Sequence, residues 1–234
     1  MENGRANGRV NDNLRTGSEL ALLLASASPR RRSLLQQAGL EPIVSPVDLD
    51  ETPVAGESPA AMVARLALAK ARAARRRFDE GEVVLAADTT VVDRGNVLGK
   101  PSNINEAVDM LMGLRGRQHE VITALALIRR ADGKEIVNAT RTWVEMRSYT
   151  KEEAERYAAG GSPLDKAGGY GIQDQGFHPV DLDSMDGCFT NVMGLPLCTL
   201  EAALTELDVP VSVDLTAACL SYHPHKTPAE QVVP

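Results

Sequence analysis

Residues 26–32 read Ser-Ala-Ser-Pro-Arg-Arg-Arg and follow directly on an apolar run at 20–25. Ser28-Pro29 is a helix start, with Ser as N-cap and Pro at the first helical position, where a missing N–H costs nothing. A buried strand feeding a helix N-terminus aims unpaired N–H groups and the positive end of the helix dipole at one spot, which suits an anion. Three arginines beside an end that is already partly positive are unfavourable unless an anion is expected, and the planar guanidinium fork fits phosphate oxygens. Ser28, Arg30 and Arg31 are therefore candidate phosphate contacts. The alternative is a capped helix whose arginines reach solvent or nearby carboxylates.

Asp88 interrupts an apolar stretch, between Val83-Val84-Leu85-Ala86-Ala87 and Thr89-Thr90-Val91-Val92. An ionised carboxylate within or at the end of a buried strand is costly unless a cation or metal pairs with it. It is thus either a structural salt bridge or turn residue, or a metal ligand or base that activates water. Lys70 falls four residues after Leu66, on or beside an apolar helical stripe, and Lys100 sits just past a strand in Leu98-Gly99-Lys100-Pro101. Either lysine alone also reads as a surface residue. The stretch at 165–173, Asp-Lys-Ala-Gly-Gly-Tyr-Gly-Ile-Gln, has no GxGxxG and follows no strand, which excludes a dinucleotide fingerprint. A Gly-rich loop carrying Lys166 and Gln173 suits a nucleotide, with the amide offering donor and acceptor to a base edge, or else it is a flexible surface loop. Asp181, Asp183 and Asp186 lack the later Glu of an EF-hand and read as a solvated loop. His119 reads as a structural strand residue, and no P-loop or Ser-His-Asp arrangement is present.

These residues need elements to position them. Strand 20–25 leads into a helix with Leu34, Leu35 and Ala38 inward and Gly39 as its stop. Ser58-Pro59 starts a second helix, with Met62, Val63, Leu66, Ala69 and Ala73 as its buried stripe and an end near Phe78. A buried strand at 83–92 turns through Asp93-Arg94-Gly95-Asn96 and returns by Val97-Leu98. A helix at 104–114 follows, then strands at 119–130 and 135–147 joined as a hairpin through Asp132-Gly133. Thr150 and Glu153 form a capping box for a helix ending at Gly160-Gly161; 168–191 is irregular, and 195–207 is a helix. Intermixed helices and strands with a hairpin predict an α/β fold, a mixed sheet with flanking helices. Residues 1–19 read as a disordered tail, 20–207 as the domain, and 208–234 as an extension of low order.

The 234 residues are 43% apolar and 24% charged, which excludes a wholly disordered chain, and 3% aromatic, so the core must be aliphatic. A net charge of −7 argues against a nucleic-acid polymer as partner, but not against a small anion held by local cations. Three cysteines without CxxC spacing point to a reducing, cytoplasmic setting and away from structural zinc. No apolar run reaches the roughly 18 residues of a membrane span, so no membrane is expected as partner. Arg5, Arg9 and Arg15 before the run at 20–25 imitate a signal peptide, but Glu2, Asp12 and Glu19 dilute the positive segment.

Taken together, LASASPRRRSLL (24–35), Asp50-Glu51, RLALAKARA (65–73), AADTTVV (86–92), LGKP (98–101), HEVITA (119–124), DKAGGYGIQ (165–173) and NVMGLPL (191–197) resemble, in order, the Maf family of nucleoside triphosphate pyrophosphatases. The resemblance implies two lobes around a deep cleft in a Maf/ITPase-like fold, usually a homodimer. It implies hydrolysis of a nucleoside triphosphate between the α and β phosphates with a divalent metal, Mg²⁺ or Mn²⁺. By matching position, Asp88 is the proton acceptor, and Arg30, Thr89 and Gln173 contact and select substrate. Ser28, Arg31, Lys70, Lys100 and Lys166 are expected at the phosphates, with Asp88, Asp50 and Glu51 at the metal. Tyr-Gly-Ile-Gln at 170–173 resembles the branch acting on dTTP and UTP; the sister branch acts on 7-methyl-GTP, and a non-catalytic nucleotide-sensing regulator of cell division is the non-enzymatic alternative. The loop from Gln173 to Asn191 is slightly longer than in familiar members, as is the tail beyond Asp208.

Overall fold

A computed structural model describes residues 20–79, 81–185, 187–223 and 230–232. The expected tail at 1–19 lies outside the described residues. Strands β1 (Leu22–Leu24), β2 (Ile43–Val44), β3 (Val83–Asp93), β4 (Asn96–Leu98), β5 (Gln118–Arg129), β6 (Glu135–Glu145) and β7 (Glu230–Val232) form one mixed sheet. Its order is β2-β1-β3-β5-β6-β7, with β4 paired to β3 beside that path. The strands β2, β1 and β3 run parallel, and all other pairs are antiparallel.

Seven helices accompany the sheet among the described residues: α1 (Pro29–Gln37), α2 (Pro59–Arg77), α3 (Ile104–Leu114), α4 (Lys151–Ala159), α5 (Phe189–Val192), α6 (Leu197–Glu206) and α7 (Leu215–Tyr222). Ser28 and Ser58 cap α1 and α2 with Pro following, Asn103 caps α3, and the Thr150–Glu153 box closes on α4. Each cap satisfies a backbone N–H that the first turn leaves without a partner.

Alternation along the buried strands divides the core. Leu22, Leu24, Val83, Leu85 and Ala87 pack towards α1, α6 and α7, whereas Leu23, Val84, Ala86, Ala124 and Ala126 pack against α2. A third cluster, containing Val91, Leu111, Val144, Tyr149 and Tyr170, lies where α3 and α4 meet the far ends of β3, β5 and β6. On α2 the buried stripe is Val63, Ala67, Ala71 and Ala74 rather than one ending in Ala69 and Ala73, which stay partly exposed. Small residues there bring the helix close to the sheet.

The segment beyond Asp208 departs from the expectation of low order. It forms α7, capped by Asp214, and buries Leu215 and Cys219 completely against the α1–α6 layer. Its strand β7 adds an edge to β6. The eight residues of α7 give too short a pattern to read, and the packing of two side chains rather than helix propensity holds it. Cys219 Sγ lies 3.4 Å from Cys188 Sγ as a free thiol, a proximity that the spacing of the cysteines does not reveal. Leu215→Ala is expected to lower the unfolding free energy by about 2–5 kcal/mol, measured by urea denaturation; a change below about 0.5 kcal/mol would show that α7 is not part of the core.

Candidate active site

The site begins with a gap in the sheet. Parallel pairing of β1 with β3 ends at Leu24 opposite Leu85, extended by Ala25 N–H donating to the Leu85 carbonyl at 2.8 Å, and β4 joins β3 only from Val91 onwards. Between these points, among the described residues, the β1-side edge of β3 has no strand beside it. Asp88, Thr89 and the N-terminus of α1 meet at this opening. Strand alternation sends neighbouring side chains to opposite faces. Asp88 follows Val84 and Ala86 towards α2 and meets Lys70, while Thr89 follows Leu85 and Ala87 towards α1 and meets Arg31.

The Asp88–Lys70 pair is close and largely buried, with Nζ to Oδ1 at 2.6 Å and side chains 13% and 12% exposed. Glu51 reaches the same ammonium at 2.5 Å from a more open position. Burial raises the Asp88 carboxyl above its ordinary range, against the opposing pull of Lys70 and Arg31. Arg31 lies behind this pair. Its Nε donates to the Gly194 carbonyl at 2.9 Å, Nη1 to Ser26 Oγ at 3.1 Å and Nη2 to Thr89 Oγ1 at 3.1 Å. Burial lowers its guanidinium to about 10, still charged at neutral pH. Thr89 is fixed from its other side by Thr123 Oγ1 at 2.9 Å, its register partner on β5, and Thr123 donates to the Asn191 carbonyl at 3.1 Å.

The Gly-rich segment forms the opposite wall. Gly168 and Gly169 both take positive φ, and a Cβ on Gly168 would meet Val91 at 3.1 Å, so the loop lies against β3 only because these positions lack side chains. Arg30 Nη1 pairs with Asp165 Oδ2 at 2.6 Å, and the buried Lys166 ammonium donates to Asp165 Oδ1 at 2.9 Å and to the Ser162 carbonyl at 2.6 Å. Although partial burial opposes it, bonds from Lys166 and Arg30 hold the Asp165 carboxyl below its usual range. Gln173 Nε2 donates to Asp174 Oδ1 at 3.1 Å.

One pocket is lined by Ser28, Arg30, Arg31, Glu51, Lys70, Asp88, Thr89, Lys100, Lys166 and Gln173, so Arg30 and Asp88 share it. Five cations face three carboxylates in its lining, reversing locally the sign of the whole chain. Lys100 is exposed at the mouth, with no carboxylate within ion-pair distance among the described residues. Asp50 is the exception among the expected site residues. It is exposed, its Oδ1 accepts from Thr52 N and Oγ1 at 2.9 and 2.5 Å, and it does not line the pocket. Of two adjacent carboxylates, Glu51 faces inward and Asp50 caps its own turn, a choice set by local hydrogen bonding that composition does not display. Asp181 likewise caps a turn, accepting from the backbone of Asp183 and Ser184. Sequence reasoning missed Thr123, Asp165 as partner of Arg30, and Asp174; each acts through partners distant in sequence.

A mixed sheet that opens a cationic pocket at the end of a parallel strand, beside a capped helix N-terminus, defines an anion-binding α/β protein. The family model described as Maf-like protein matches residues 21–207, and the chain belongs to the Maf family. A dTTP/UTP pyrophosphatase of Thermomicrobium roseum is 47% identical over 196 residues, covering 82% of this chain and 87% of the relative. Another, from Dehalococcoides mccartyi, is 40% identical over 186 residues, covering 80% and 82%. Among solved structures, a nucleoside-triphosphatase (dITP/XTP pyrophosphatase) of Mycobacterium abscessus matches at TM-score 0.36 and 20% identity, over 54% of this chain and 74% of its own.

His119 underlies the Gly-rich wall. Its Nε2 lies 2.7 Å from the Tyr170 hydroxyl in a fully buried contact, and burial lowers its pKa from 6.5 to about 4. A histidine held neutral contributes stability that is complete above its unfolded value and is lost as pH falls through 6.5 towards 4. Between pH 7 and 4, wild type is expected to lose more unfolding free energy than His119→Gln, by at most about 3 kcal/mol; identical pH profiles would remove His119 as the cause.

Proposed function

We propose that this chain is a nucleoside triphosphate pyrophosphatase that hydrolyses dTTP and UTP to the monophosphate and pyrophosphate. The observation that carries it is the convergence of Arg30, Lys70, Lys100 and Lys166 on the pocket that holds Asp88, in a chain whose relatives carry that name. A triphosphate is a dense polyanion, and cleaving it requires neutralising the departing pyrophosphate and placing water at the α phosphorus. Arg30 and Lys100 at the mouth receive phosphate oxygens, with Asp165 holding the Arg30 guanidinium ready at 2.6 Å. Three of the N–H groups of Arg31 are spent on protein oxygens, so it contributes mainly its charge and the placement of Thr89. Asp88 accepts the proton as a water oxygen bonds to the α phosphorus and the bond to the bridging oxygen breaks. Burial raises its pKa against the pull of Lys70 and Arg31, which makes it a stronger base than a solvated aspartate. Lys70 orients that carboxylate and compensates its charge.

We infer that Asp88 and Glu51 are the side chains that would hold a divalent cation. Asp88 and Glu51 turn hard oxygens onto one point, the Lys70 ammonium, while no cluster of three or more ligands forms among the described residues. Two carboxylates completed by substrate oxygens and water suit Mg²⁺ or Mn²⁺. When bound, the ion supplies charge neutralisation at the phosphates. Asp50 is not part of this set. Homodimer formation and a cytoplasmic setting complete the proposal; free thiols suit a reducing compartment, and no described helix is long and apolar enough to cross a membrane.

The test is pyrophosphate release across a nucleotide panel. dTTP and UTP are expected to be preferred; preference for 7-methyl-GTP would replace the substrate, and no turnover with any metal would favour a sensor. Asp88→Asn is expected to lower kcat by about a thousandfold. Because its folded pKa is raised, ionised Asp88 costs folding stability at neutral pH, so the same variant should melt no lower than wild type. A variant with wild-type turnover would end the role of Asp88 as base, and one that melts lower would show that the ion pair with Lys70 outweighs its desolvation.

A further inference from the structure

Asp174 stands next to Gln173, and Tyr157, Ser162, Lys166 and Gln173 all turn donors towards its carboxylate. Its Oδ2 accepts from Tyr157 Oη at 2.6 Å and Ser162 Oγ at 2.7 Å, and lies 3.3 Å from the Lys166 ammonium. Its Oδ1 accepts from Gln173 Nε2 at 3.1 Å. The Tyr157 hydroxyl in turn accepts from Gly171 N at 3.0 Å, and burial raises its pKa, so it remains a donor to Asp174. A Cβ at Gly171 would meet Asp174 Oδ1 at 2.6 Å and Lys166 Cε at 2.7 Å, so a side chain there would push the carboxylate aside. The carboxylate is therefore clamped on one oxygen and presents the other to the amide of Gln173.

A carboxylate acceptor decides which end of a primary amide faces it, because only the NH₂ end has a proton to give. This matters for pyrimidines. Uracil and thymine offer N3–H and O4, a donor beside an acceptor; cytosine offers N3 and N4–H₂, the reverse order. A freely turning amide complements either edge by exchanging its oxygen and nitrogen. An amide whose nitrogen is tied presents its carbonyl and remaining N–H in one fixed arrangement, and then complements only one edge.

We propose that Asp174 is a positioning residue that fixes the orientation of the Gln173 amide and thereby makes the pocket select uracil and thymine over cytosine. The inference rests on Gln173 being the amide that meets the base. Through Lys166 and Asp165 the same carboxylate is joined to Arg30, with Lys166 Nζ to Asp165 Oδ1 at 2.9 Å and Asp165 Oδ2 to Arg30 Nη1 at 2.6 Å. The orientation of the base reader and the placement of a phosphate-facing cation are thus set by one connected network.

Asp174→Asn tests this. The donors at Oδ2 retain the oxygen of the new amide, so its NH₂ faces Gln173 and demands the Gln173 carbonyl, which inverts the reader. The UTP-to-CTP ratio of kcat/KM is expected to fall by about tenfold or more, carried by KM, with kcat on UTP within about twofold. In a Gln173→Ala background the substitution is expected to change the ratio no further, a coupling that a merely structural role would not produce. A wild-type ratio in Asp174→Asn, or an equal drop without Gln173, would overturn the proposal. Calorimetric titration of α,β-methylene UTP and CTP separates the two readings. If wild type prefers the UTP analogue and loses that preference in Asp174→Asn without hydrolysing any triphosphate, the enzymatic reading fails and this one stands. If wild type binds both analogues equally, this one fails whatever the turnover. Should Asp174→Asn not fold, Gly171→Ala displaces the same oxygen and should shift the ratio in the same direction; an unchanged ratio overturns the proposal.

Discussion

A carboxylate in the middle of a buried strand is the constraint on which the molecule turns. Asp88 is the sixth of the eleven residues of β3 and is paired to Ala124 across the sheet. An ion in that position must have a counter-ion and a route to solvent. The first comes from Lys70, delivered by a helix whose buried stripe of alanines lets it approach the sheet. The second comes from the early end of β1, which leaves the adjacent edge of β3 open. Neither feature would be needed by a sheet that only had to pack.

The same geometry explains why the site is built from both sides. Consecutive residues of the strand offer Asp88 to one face and Thr89 to the other, so the carboxylate paired with Lys70 and the hydroxyl braced by Arg31 stand side by side but are supported by different helices. Arg31 is tied to Gly194 and Ser26 as well, so the loop after α5 and the turn before α1 are fixed to the same guanidinium. A pocket supported this way has little freedom to collapse around its own unbalanced charge. The carboxylates of Glu51, Asp88 and Asp165 pair with Lys70, Arg30 and Lys166 and leave a local positive excess, which reconciles an acidic chain with a cationic cavity.

Much of the frame was legible in the residues because its signals are local. Caps at Ser28, Ser58 and Thr150, the turn at Asp132-Gly133 and the bounds of α3 each rest on a few neighbouring residues, and all were found where expected. What escaped depends on distant partners. The order of α7 comes from Leu215 and Cys219 meeting a layer assembled from α1 and α6, not from its own pattern. The choice between Asp50 and Glu51 was decided by Thr52, and the stripe on α2 shifted because close approach to the sheet favours Ala67, Ala71 and Ala74. The site itself was recognised as pieces in order, whereas their meeting needed the gap between β1 and β4, which no single segment encodes.

The network from Arg30 to Gln173 shows what such distant pairing can add. Arg30, Asp165, Lys166, Asp174 and Gln173 alternate in the character they offer, so each group satisfies its neighbours and none is left with an uncompensated charge. Reversing one member sets a like charge or a donor against its immediate neighbour. Gly171 fits the same logic: with the Asp174 carboxylate and the Lys166 chain packed against it, a side chain there would displace one of them. Positions 171, 173 and 174 are therefore coupled, because the Asp174 carboxylate both crowds Gly171 and accepts from the Gln173 amide.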